Sequence, residues 1–134
     1  MSEVILSREI LRELEEIGKR AYPDEGCAIL LGDTQNPGIK QVKELKNTAD
    51  KELSKSFFQV NPIEILDIEK EKNAVITGFF HTHPDQRAVL SKEDEDYMIP
   101  GIIYVVMSIV KGSFADIRAY VKEPDCGGIR EFDI

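Results

Sequence analysis

Apolar residues recur at Ile10, Leu11, Leu14 and Ile17 among charged neighbours, a spacing that predicts an amphipathic helix to about Ala21. Ser7 supplies an N-cap hydroxyl and Pro23 closes the segment. The pattern then changes: Cys27 to Leu31 is an unbroken apolar run ended by Gly32-Asp33, which suits a buried strand and a turn. Ile39 to Leu45 alternates as a half-buried strand does, whereas Lys46 to Lys55 is polar, aperiodic and reads as a surface loop. Phe57 to Val60 returns to strand character. Asn61-Pro62 then opens a second amphipathic helix carried by Ile63, Leu66 and Ile68 to about Lys72.

Ala74 to Phe80 is apolar enough for a central strand. Beyond it the pattern predicts a short helix over Ser91 to Met98, strands over Ile102 to Val110 and Ala115 to Val121, and an edge strand over Ile129 to Ile134. Helical and strand segments are interleaved without repeat or linker. The expectation is one α/β domain over residues 1–134, a mixed central sheet layered with helices.

Composition narrows the function. Apolar residues at 42% and charged residues at 31% fit a globular chain rather than a disordered one. The longest apolar stretch, Ile99 to Val110, is broken by Pro100, Gly101 and Ser108, too short for a membrane span. The N-terminal segment is acidic and helical in spacing, unlike a secretory signal, so a cytoplasmic location is expected. A net charge of −8 argues against general affinity for nucleic acid or anionic membrane, leaving a protein or small molecule as partner. The two cysteines form no C-x-x-C pair; Cys27 reads as core packing and Cys126 as part of a turn.

The chain has two histidines, both in Phe80-His81-Thr82-His83-Pro84 at the end of the expected central strand. Residues two apart on a strand share a face, so both imidazoles can be aimed at one point. Ser91 and Asp94 follow at a spacing that puts both on one face of a short helix, and the same pair is a capping-box variant; the two readings coexist. With Asp94 as a candidate third ligand, two imidazoles and a carboxylate would hold zinc and leave a position for water. Hydrolysis through that water needs a base. Glu25, directly before the first buried strand, is the candidate, with Asp24 as its rival.

Taken together, Glu25, His81-Thr82-His83-Pro84 and Ser91-x-x-Asp94 resemble the JAMM motif of the MPN-domain metallopeptidases. Ala21 to Glu25, Ala28 to Gly32, Lys46 to Ala49, Phe57 to Pro62 and Gly78-Phe79-Phe80 also resemble short prokaryotic members. The resemblance implies a cytidine-deaminase-like α/β/α core, zinc held by His81, His83 and Asp94, Glu25 as proton acceptor and donor, and Ser91 as a donor to the oxyanion. It implies as substrate a ubiquitin-like or sulfur-carrier protein, cut after a C-terminal Gly-Gly. Two alternatives accompany it: a hydrolase of small peptides or amino-acid adducts, and a non-catalytic MPN scaffold. Departures from the family pattern are Leu90 where proline is common and Gly26-Cys27-Ala28 after the glutamate. The H-x-E and P-C-x-x-C motifs of zinc deaminases do not occur.

Overall fold

The computed structural model describes residues 6–32, 39–45, 70, 75–98, 100–123 and 127–132. The expected loop 46–55, the strand 57–60, the second helix apart from a helical Lys70, and the turn at Cys126 lie outside the described residues. Helix α1 spans Arg8–Ala21. Ser7 caps it, its hydroxyl accepting the Ile10 N–H at 3.1 Å, and Glu9 in the first turn with Lys19 and Arg20 in the last complement the helix dipole. Its buried stripe is Ile10, Leu14, Ile17 and Gly18, with Leu11, the fourth apolar position of the expected face, partly buried beside it.

Six strands follow: β1 (Cys27–Gly32), β2 (Gln41–Leu45), β3 (Val75–Pro84), β4 (Ile103–Val110), β5 (Ser113–Lys122) and β6 (Ile129–Phe132). The short helix α2 (Lys92–Tyr97) lies between β3 and β4. The strands form one sheet in the order β2-β1-β3-β4-β5-β6, with β3 and β4 parallel and every other neighbouring pair antiparallel. This is the mixed sheet expected of the α/β class. No described helix is long and apolar enough to cross a membrane.

Side-chain alternation divides the sheet into two faces. On one, Ala28, Leu30, Phe80, Val105, Met107 and Ile109 pack with the α1 stripe. On the other, Tyr104, Val106 and Tyr120 pack with Ala88, Leu90 and Met98, which flank α2. Two glycines permit close approach. Gly18 lets α1 settle against Thr82 and Ile109, and a Cβ on Gly78 would run into the backbone carbonyl of Ile103 on β4.

Strand β3 is longer than the apolar run that predicts it. It continues through both histidines, and Pro84 stands in register with Ile109 instead of ending the ladder. The reason is directional. Thr82 N–H points to the β1 side, donating to Gly26 O at 3.0 Å, and two residues later the donor that proline lacks would point the same way, beyond the start of β1. The β4–β5 hairpin turns through Lys111 and Gly112, with φ of 51° and 82°, the mirror-image turn that matches strand twist.

Candidate metal centre

His81 and His83 project from β3 onto the face shared with Val106 and Ser108, their register partners on β4. Both are buried, with ring centroids 5.1 Å apart. Asp94 reaches them from α2: its Oδ2 lies 3.0 Å from His83 Nε2 and 3.3 Å from His81 Nε2. Tetrahedral zinc with bonds of roughly 2.0–2.1 Å separates its ligand atoms by about 3.3 Å, so both carboxylate–imidazole separations suit a shared zinc, and the donors have the chemistry it takes.

Glu25 enters from the segment before β1 and is almost fully buried. Its Oε1 is 4.0 Å from His81 Nε2, farther than Asp94 Oδ2 from either imidazole. Ligand atoms of Glu25, His81 and His83 all lie within 4.8 Å of one another, a group able to hold a metal ion. Asp24, its rival, is half-buried and outside this group. Thr82 anchors the residue next to Glu25: its Oγ1 accepts the Gly26 N–H at 2.8 Å while its own N–H donates to Gly26 O. The residue between the histidines thus ties the glutamate's neighbour to the histidine strand from the opposite face.

Asp94 is held by a full capping box. Its N–H donates to Ser91 Oγ and its Oδ2 accepts the Ser91 N–H, both at 3.0 Å. The cap and the site are therefore one object: the bonds that start α2 also orient the carboxylate toward the histidines. Ser91 joins the cluster through Asp94, and its hydroxyl, accepting one bond, still has an O–H to donate. Burial acts to raise the Asp94 carboxyl, but the two imidazoles and the Ser91 N–H overcome it and hold the group well below the usual carboxylate range. Burial lowers His81 despite Asp94, whereas His83, also opposed by burial, is raised by Asp94 and the Arg87 carbonyl.

His83 Nδ1 donates to Arg87 O at 2.9 Å. A carbonyl can only accept, so Nδ1 carries a proton, which would leave Nε2, now beside the Asp94 carboxylate at 3.0 Å, as the nitrogen that offers a lone pair to a bound metal. The loop that supplies this carbonyl is tied at its near end by Asp85, whose N–H donates to Ile109 O at 2.7 Å. The Asp85 carboxylate accepts Tyr22 O–H at 2.7 Å and Lys111 N–H at 2.8 Å. Sequence reading brought out Glu25, His81, His83, Ser91 and Asp94, and missed Thr82, Asp85, Ser108 and Tyr120. For Thr82 a signal existed, a threonine fixed between two candidate ligands; Asp85 meets Tyr22 and Lys111, and Ser108 and Tyr120 meet the loop, only in the folded sheet.

Among known proteins, the family described as prokaryotic homologs of the JAB domain matches residues 7–121. No curated protein matches. A protein of Desulfitobacterium hafniense, solved in solution, superimposes with a TM-score of 0.76 at 25% identity over 96% of this chain and 88% of that one. A JAB1/MPN domain protein from Archaeoglobus fulgidus gives 0.64 at 20% identity, over 100% of this chain and 97% of that one. A structure reported for a metalloprotease-like zinc site in the proteasome and signalosome gives 0.58 at 18% identity, over 98% and 96%. The last two likenesses are of fold.

Proposed function

Because the chain belongs to the prokaryotic homologs of the JAB domain, within the JAMM/MPN proteins, we propose that it is a zinc-dependent peptidase. Its substrate in this reading is a ubiquitin-like or sulfur-carrier protein, cut at the amide bond after the C-terminal Gly-Gly. The observation that carries the chemistry is the convergence of His81 Nε2 and His83 Nε2 on Asp94 Oδ2, all buried, with the buried Glu25 beside them.

In this reading His81, His83 and Asp94 hold the ion. Bound there, zinc supplies Lewis acidity, polarising a carbonyl and acidifying water. Glu25, set back from the other three, takes a proton from water and returns it to the leaving amine nitrogen. Ser91 Oγ donates to the substrate carbonyl oxygen as negative charge develops there. A diglycine tail suits the role because it lacks side chains and can enter a narrow cleft as an added extended strand. The net charge of −8 supports a protein or small-molecule partner over nucleic acid.

The test is intact-mass analysis of carrier proteins extended by one or more residues beyond Gly-Gly, mixed with the zinc-loaded chain. Trimming to the Gly-Gly end is expected, and Glu25→Gln should keep its zinc while losing a factor of about 10² or more in rate. A carrier left intact while small peptides are cut would replace this substrate class with the small-peptide alternative. A chain that takes up no metal would point to a scaffold.

A further inference from the structure

Three successive carbonyls of the loop after β3 are each engaged by a side chain. Gln86 O accepts from Ser108 Oγ, Arg87 O from His83 Nδ1 at 2.9 Å, and Ala88 O from Tyr120 Oη at 2.7 Å. The middle one orients a metal-site histidine; the flanking two are gripped from β4 and β5. We propose that Ser108 and Tyr120 are positioning residues for His83: by pinning the carbonyls on either side of Arg87 they fix the acceptor that aims the imidazole, and so set the affinity of the site for its metal. This rests on His83 being a metal ligand, as read above.

Close packing holds only Ala88 in this stretch. Asp85 to Val89 border a cavity of about 430 Å³ floored by Ser108, Arg118 and Tyr120, and Arg87 and Val89 face solvent. A loop beside open space keeps its shape through directional bonds, and a carbonyl free to swing would let the ring of His83 turn about its own axis. Both donors are built for permanence. Ser108 is buried directly beside His83 in the β3–β4 register. Tyr120 is buried too, and its phenol, which also lies within hydrogen-bonding reach of Glu131, is pushed up to about 12 by burial first and then by the charge of Glu131, so it keeps its proton.

The probe is zinc itself, with affinity read by competition against a chromophoric chelator and geometry read from the visible spectrum of the cobalt-substituted protein. Tyr120→Phe and Ser108→Ala should each bind one equivalent of metal about tenfold more weakly than wild type and alter the cobalt spectrum. Val105→Ala, a core truncation on the opposite face, controls for lost stability and should change neither readout. Wild-type affinity and spectrum in both Tyr120→Phe and Ser108→Ala would overturn the positioning role, as would an equal loss in Val105→Ala. If wild type itself bound no zinc, the metal reading would fall and this inference with it. If Tyr120→Phe does not fold, Ser108→Ala carries the same comparison.

Discussion

Thr82 shows how far one residue's role depends on which face of a strand it occupies. The histidines on either side of it were legible because a period of two puts residues 81 and 83 on one face whatever the rest of the fold does. Thr82 faces the other way, and only the antiparallel neighbour β1 shows what it touches: the Gly26 amide, one residue from Glu25. Asp94 and Ser91 were legible for a different reason, their capping spacing being local, while the grip of Ser108 and Tyr120 on the loop depends on strands that meet only in the folded sheet. Thr82→Val keeps shape and removes the acceptor, leaving a buried N–H without it, at a cost of about 1–3 kcal/mol. Because Glu25 is then less firmly placed, hydrolysis should drop on the order of 10-fold to 10²-fold while zinc affinity, set on the opposite face, stays near wild type. Parallel rate and chelator-competition measurements check this; an equal loss in both would mean that Thr82 supports the ligands and not the glutamate.

Elements with strong apolar runs, β1, β3 and β4, were legible because burial on both faces leaves little room for polar positions. The start of β5 was not: Ser113 and Phe114 are exposed and belong to the strand only through the hairpin with β4. The expected strand over 39–45 begins at Gln41, and the one over 129–134 is described to Phe132. Helix α1 carries a feature its hydrophobic pattern conceals. A Cβ on Gly18 would lie 2.9 Å from Thr82 Cγ2 and 3.1 Å from Ile109 Cδ1, so the helix sits as close to the sheet as glycine allows. Two effects then oppose each other in Gly18→Ala. Alanine gains about 0.8–1 kcal/mol of helix propensity, and overpacking costs about 1–3 kcal/mol. The second should win, because Thr82 is β-branched and held by its bond to Gly26, so it cannot turn aside. A net loss of about 1 kcal/mol is expected, read as a lower urea midpoint at unchanged slope; a higher midpoint would show that α1 lifts off the sheet without penalty.

At the scale of the whole molecule, the site gathers parts that are distant in sequence: Glu25 before β1, the histidines on β3 and Asp94 on α2. Four ionisable side chains are thereby buried at one point, and burying charge is costly unless it is compensated. Within the protein, Asp94 already offsets part of this through both imidazoles and the Ser91 N–H. A divalent cation among two carboxylates and two imidazoles would offset more, and it would do so only in the folded chain, since unfolding scatters the ligands. Binding to the native state alone raises stability by about 2.7 kcal/mol at free metal 100 times its dissociation constant. For a domain of this size that corresponds to an upward shift in Tm on the order of 10 °C. The rise should grow with zinc concentration, reverse with chelator, be absent with calcium, and vanish in His83→Ala. Glu25→Gln should keep most of it if the glutamate is the base rather than a ligand. Differential scanning fluorimetry across a zinc titration reads all of these. A Glu25→Gln protein that lost the shift as completely as His83→Ala would move Glu25 into the ligand set.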